Sequence, residues 1–288
     1  MATLNTEWKA DDIALNYIYP TLDNVSALIK GVTINPDVSV AVGGASAYYY
    51  KDNAPSVTDG DAGRQLVTNK AGNTRTDILL NQSFQIDELI PKAASHALSV
   101  DVVGDYMVKA AASVANAWSR KGIVKMIDEG TADTGTASTA STIYSNIIDT
   151  IAAFDNANPT RSLGANYVMV TPNTLALIRK SDEFVGNTAT GKVLMDGLVG
   201  SIGGLSVVLS KQLGTITATD LTNYSAVSGI EFVVGSYDAF VAPTAFEDFR
   251  VIESELYFGV KIQAELTYGF DVADANRIHW RAASATEA

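Results

Sequence analysis

Phe84-Gln85-Ile86-Asp87-Glu88-Leu89-Ile90-Pro91 leads into a run whose apolar residues Val100, Val103, Met107, Ala110, Val114, Ala117 and Val124 fall on a seven-residue repeat broken only by Lys121. That spacing predicts a single helix with one narrow apolar seam, opened by Pro91, running to about Glu129 and stopped by Gly130. At the α-helical rise it would measure about 55 Å, more than a chain of this size needs for a core of its own. An elongated protomer follows. Upstream, Ala47-Tyr48-Tyr49-Tyr50 reads as a strand, and Thr76 to Ile86 as another, because Ile78, Leu80, Phe84 and Ile86 share one parity. Between them, Lys51 to Arg75 is rich in Asp, Asn, Gly and Thr and holds almost no large apolar residue. Such a stretch cannot bury itself against a core, and a compact chain rarely keeps so long a loop without a use for it.

Residues 1 to 45 lack a sustained period. Their short apolar bursts, Ile13 to Ile18 and Val38 to Val42, are separated by Pro20, Gly31 and Pro36, which predicts an extended arm with one short helix. Beyond the long helix, Thr131 to Thr142 is a run of Thr, Ala, Ser and Gly read as a flexible connection. A second helix is expected from Ile143 to about Asn156, with Ile147, Ile151 and Phe154 on one face. Tyr167 to Val170 reads as a strand, and Thr171-Pro172 as the cap and first turn of a third helix through Ile178. Leu205 to Leu209 and Ile230 to Val234 complete an α/β layer. From Phe258 to Phe270, Val260, Ile262, Ala264, Leu266 and Tyr268 alternate with Gly259, Lys261, Gln263, Glu265, Thr267 and Gly269, a long strand with one dry face. Arg277 to Arg281 suggests a final strand.

Over 288 residues, 47% are hydrophobic and 18% charged, too apolar for a disordered chain and too evenly spread for a membrane protein. The formal charge of −12 has the wrong sign for a protein that coats nucleic acid. Without Cys, disulfides, thiolate nucleophiles and thiolate metal sites are excluded, and His96 and His279 alone cannot build a multi-histidine centre. The first residues, Met1-Ala2-Thr3-Leu4-Asn5-Thr6-Glu7-Trp8, do not read as a secretory peptide, so a soluble protein made and kept in a cytoplasm is expected.

Several stretches imitate chemistry. Gly186-Asn187-Thr188-Ala189-Thr190-Gly191-Lys192-Val193 matches a phosphate loop until Val193 stands where a magnesium-binding Ser or Thr belongs, and the polar Arg179 to Phe184 precedes it instead of a buried strand. Gly197, Gly200, Gly203 and Gly204 do not spell a dinucleotide fingerprint and mark a turn. Asp59-Gly60-Asp61 lacks the remaining ligands of a calcium loop. His96 and His279 read as structural or surface residues, and Asp87 and Glu88 as carboxylates placed where a helix dipole favours them. No catalytic, cofactor-binding or metal-ligating residue is assigned, no cofactor is expected, and the chain is read as not an enzyme.

The order of these elements resembles the major capsid proteins of tailed bacteriophages, the Hong Kong 97-type fold. Phe84 to Leu89 entering the long helix is similar to that family's passage from extended loop to spine helix. Val168-Met169-Val170-Thr171-Pro172-Asn173-Thr174-Leu175 is similar to its apical strand and helix, and Tyr268-Gly269-Phe270-Asp271-Val272 with Arg277 to Trp280 to its closing strands. The resemblance implies an α+β fold. It sets an N-arm at 1–45, an extended β-hairpin loop at 46–87, and the spine helix and connection of a peripheral domain at 88–142. An apical domain at 143–245 and long peripheral strands with the C-terminus at 246–288 complete it. It further implies an icosahedral virion shell around phage DNA, assembled in a bacterial cytoplasm from hexamers and pentamers of this chain. Scaffolding, portal and decoration proteins would be further partners, double-stranded DNA would be held only weakly, and no membrane is involved. With no cleavable scaffolding segment before the arm, scaffolding would be separate or dispensable. An encapsulin-type nanocompartment shares the fold and stays open as an alternative, as does, from another class, an enzyme binding a phosphate at Gly186 to Lys192.

Overall fold

The computed structural model describes residues 39–40, 46–52, 73–91, 102–158, 164–181, 201–253 and 259–287. Its centre is a mixed six-stranded sheet, in the order β5 (Thr131–Thr134), β14 (Ile278–Glu287), β9 (Tyr224–Gly235), β6 (Tyr167–Val170), β8 (Leu205–Leu209) and β7 (Ser201–Ile202). β14 runs parallel to β5 and antiparallel to β9, and β6 runs parallel to β8 and antiparallel to β9.

Helices cover both faces of this sheet, and strand parity sorts the side chains between them. Tyr167, Met169, Val233, Ile278 and Trp280 point to the side of α1 (Val102–Glu129), packing with its Trp118, Ile123, Met126 and Ile127. Val168, Val170, Phe232 and Val234 point the other way, onto Ile143, Ile147 and Phe154 of α2 (Ile143–Ala157) and Leu175 and Ile178 of α3 (Pro172–Lys180). All four residues of β6 are therefore buried, as a strand covered on two faces requires. At α3 the expected cap is present: the Thr171 hydroxyl accepts from the Thr174 amide at 3.1 Å, and Pro172 follows at the first turn.

A second sheet, β11 (Thr244–Glu253), β12 (Gly259–Tyr268) and β4 (Gln82–Pro91), is antiparallel throughout. It joins the α1 core through Leu266, Tyr268, Phe84 and Ile86, with Phe84 stacked on Tyr268 at 4.5 Å between ring centroids. A third sheet holds β1 (Ser39–Val40), β2 (Ser46–Asp52) and β3 (Asn73–Leu79), and β10 (Phe240–Val241) pairs with β13 (Asp271–Val272).

Five expectations need correction. Thr76 to Ile86 is not one strand: β3 ends at Leu79 and β4 begins at Gln82 in a different sheet. Ile78 and Leu80 are buried and Phe84 and Ile86 half-buried, so the two-residue crossing keeps the parity and hides the break. Pro91 closes β4, opposite Gly259, instead of opening a helix; on an edge strand its missing N–H is tolerated. From Val102 to Glu129 the chain is the expected helix, and residues 92–101 lie outside the described residues. Its buried stripe is Val114, Ala115, Trp118, Ser119, Ile123, Met126 and Ile127, while Ala110, Ala117 and Val124 of the expected seam are only half-buried, because the six-stranded sheet and the β12 region pack on a wider and differently placed side of it. Thr131 to Thr134, expected as part of a flexible connection, is strand β5. Finally, residues 278–287, grouped in the sequence reading with the long peripheral strands, lie between β5 and β9 in the six-stranded sheet.

Candidate assembly surface

The hairpin of β2 and β3 divides its two faces sharply. Ala47 faces Ile78 across the ladder and Tyr49 faces Thr76; these positions turn toward the body, leaving Ala47, Tyr49 and Ile78 buried. Tyr49 and Ile78 pack on Val241, with Ala273 beside them. The Tyr49 hydroxyl donates to Asp271 Oδ2 at 2.9 Å. Burial, reinforced by that carboxylate, pushes the Tyr49 phenol up to about 12. On the opposite face Arg75 forms an exposed ion pair with Asp77 at 2.7 Å and sits over the Tyr48 ring at 4.3 Å, and Leu79 is 64% exposed. The hairpin root is thus anchored by one face while the other offers a large apolar residue and charges to solvent.

That anchor carries a pH signature. A neutral phenol favoured in the folded state keeps its proton after the unfolded chain has lost its own, so the contribution is complete below about pH 10 and fades as pH rises toward 12. Tyr49→Phe should cost about 1 kcal/mol at neutral pH and flatten the loss of stability above pH 10, measured by denaturant unfolding across that range.

The β4–β12–β11 sheet presents unpaired backbone on the outer sides of β4 and β11 among the described residues. Its exposed face sets polar pairs beside an exposed apolar residue, Ile252, opposite Lys261: Lys261 lies 2.7 Å from Asp87 and holds that carboxyl below the usual carboxylate range, and Gln85 donates to Glu265 at 3.0 Å. Asp87 and Glu88 therefore stand on a strand, not before a helix.

Other flagged positions scatter. Gly186 to Val193, Gly197, Gly200, Asp59-Gly60-Asp61 and His96 lie outside the described residues. Gly203 and Gly204, with φ of +57° and +84°, make the tight β7–β8 turn, a backbone that other residues seldom adopt. His279 is buried on β14, in keeping with the structural of the two readings. A cleft of about 440 Å3 opens at the start of α3, lined by Thr171, Thr174, Lys211 and Glu231 among others. Among the described residues its polar side chains are engaged: Thr171 and Thr174 bond each other, and the Glu231 carboxylate accepts from Ser138. Among the described residues no group of His, Cys, Asp and Glu is placed to hold a metal, and no helix is long and apolar enough to cross a membrane. What the sequence did not disclose was the Tyr49–Asp271 anchor, whose partners are separated by 222 positions and carry no local signal.

A central sheet with helices on both faces, a long helix shared with a three-stranded antiparallel sheet, and an anchored hairpin make up an α+β fold. The chain has the fold of tailed-phage capsid proteins, the Hong Kong 97-type. It is similar to a chain of Mycobacterium phage Che8, with 21% identity and a TM-score of 0.61 over 83% of this chain and 84% of that one. The capsid structure of the cyanophage P-SCSP1u matches with 16% identity and a TM-score of 0.60, over 88% and 85%. The mature capsid of bacteriophage PhiM1 matches with 14% identity and a TM-score of 0.61, over 83% and 82%. No protein-family model and no curated protein sequence matches.

Proposed function

We propose that the protein is the major capsid protein of a tailed bacteriophage, a structural subunit that assembles with copies of itself into an icosahedral shell enclosing DNA. The observation that carries this reading is the fold shared over more than four fifths of both chains with structures of phage capsids. The surface supports it. A hairpin anchored at its root, continuing into polar residues that cannot form a core, recovers the cost of its ordering on a neighbouring subunit. In this reading residues 1–45 are the N-arm, the chain from 46 into β3 is the extended loop, and α1 is the spine helix. The six-stranded sheet with α2 and α3 forms the apical layer, and β4, β11 and β12 the peripheral sheet. Scaffolding, portal and decoration proteins are the further partners. The net charge of −12 suits a wall that must not trap the DNA it encloses.

The test is negative-stain electron microscopy and size-exclusion chromatography of the expressed protein at physiological salt. Closed shells or defined capsomers are expected. A sharp monomer peak at every concentration would overturn the assignment, and shells filled with an enzyme rather than DNA in the native source would move it to a nanocompartment.

A further inference from the structure

His279 is 4% exposed on the α2 side of the six-stranded sheet, edge-on to Phe154 at 5.8 Å. Its Nδ1 lies 3.6 Å from Asp133 Oδ2 of β5, and neither ring nitrogen nor that oxygen has a hydrogen-bond partner among the described residues. Such orphaned buried groups are costly and call for an explanation. Two residues along β14, Arg281 is the register partner of Asp133, and its Nε lies 3.7 Å from Glu231 Oε2. Glu231 is the extra residue of a bulge in β9, since Arg281 pairs with Phe232 while Ala282 pairs with Ile230. The bulge turns its carboxylate toward the β5–α2 connection, where it accepts from the Ser138 amide at 2.6 Å and from the Ser138 hydroxyl. The Gly135 amide in turn donates to the Ala282 carbonyl at 3.3 Å.

These groups pin β5, which starts two residues after α1 ends, and the chain that follows it onto the sheet. With His279 neutral the cluster holds one cation, Arg281, against two anions, Asp133 and Glu231. The other charged groups on the packed elements are engaged or exposed: Asp149 and Asp155 of α2 face solvent, and Arg277 beside β14 pairs with Asp238 at 2.8 Å and Asp274 at 3.3 Å. We propose that His279 and Asp133 form an acid-tightened latch between β5 and β14. Protonated, His279 donates a charge-assisted hydrogen bond to Asp133 and balances the cluster; neutral, it offers only the weaker uncharged N–H of one tautomer, and β5 is more readily detached. The device belongs to the fold of the protomer and does not depend on shell formation.

Hydrogen exchange read by mass spectrometry tests it on the intact protein, in whatever assembly it adopts, at pH 8 and pH 5.5 with correction for intrinsic exchange. Peptides covering Thr131–Thr134 should gain protection at pH 5.5 on the order of tenfold, the factor that a charge-assisted hydrogen bond supplies. The gain should vanish in His279→Gln and in Asp133→Asn and persist in His96→Gln. Should His279→Gln fail to fold, the wild-type and Asp133→Asn profiles decide. Equal or lower protection at pH 5.5 in the wild type, or a gain that survives either latch substitution, overturns the proposal.

Discussion

Joining Asp52 to Asn73 through Asn-Gly, in place of residues 53–72, is expected to leave the protomer folded and to abolish closed shells. Asp52 and Asn73 are the last paired residues of the β2–β3 ladder, so a two-residue turn closes the hairpin without disturbing its register. The removed stretch has Val57, Leu66 and Val67 as its only large apolar residues and adds little to the protomer's own core. The root stays intact, because Tyr49, Ile78 and the Asp271 contact lie outside the deletion. Unfolding of the protomer should therefore change by no more than about 0.5 kcal/mol, the range of surface changes remote from structural features. Assembly should fail because, in the capsid reading, the missing residues form a contact repeated at every neighbour. Circular dichroism and electron microscopy on one sample decide the matter. Normal shells would show the loop to be dispensable for assembly, and an unfolded protomer would place it in the core.

Gly235→Ala should be the most damaging single methyl in the described core. Gly235 is paired with Tyr167 on one side and Ile278 on the other, at the centre of the six-stranded sheet. A Cβ there would stand 2.3 Å from the Tyr167 hydroxyl oxygen and 2.6 Å from its Cζ. The ring cannot retreat: Tyr167 is fully buried and stacked on Tyr237 at 5.8 Å, in an environment that pushes its phenol well above the usual range. Overpacking of a rigid core costs about 1 to 3 kcal/mol, and this contact belongs at the upper end. The expected drop is about 5 °C in the melting temperature. Tyr167→Leu in the same background should recover part of it, since it removes the clashing atoms. A melting temperature unchanged by Gly235→Ala would mean that the Tyr167 ring is not seated over this glycine.

What could be read along the chain was whatever neighbouring residues decide among themselves. Tyr167 to Val170 declares a strand buried on both faces, and Thr171-Pro172 declares the start of α3, because a cap is made within three residues. Ile147 and Phe154 give the buried side of α2, and the alternation around Gly259–Tyr268 gives its strand, because 3.6 and 2 are periods of local geometry. The order of such elements sufficed for the resemblance to phage capsid proteins and for the fold class. The candidate surface was legible only in its polar stretch, whose composition shows that it lacks a core of its own.

Tertiary structure decided everything that depends on a distant partner. Whether the chain stays in one sheet after Leu79 or changes to another cannot be seen in parity, since the Leu80–Asn81 crossing preserves it. Thr131 to Thr134 carries no apolar alternation and is a strand only because β14, about 150 residues away, supplies a parallel edge. Pro91 ends a strand rather than starting a helix because Gly259 lies opposite. The wide buried stripe of α1 and the Tyr49–Asp271 anchor arise from surfaces that meet only when the sheets pack. The sequence by itself determined the buried side of α2, the doubly buried strand β6, the start of α3 and the strand character of β12, because those follow from backbone geometry and local burial; the pairing of strands, and so the place of β5, β14 and the hairpin root, rested on contacts between segments that no local pattern encodes.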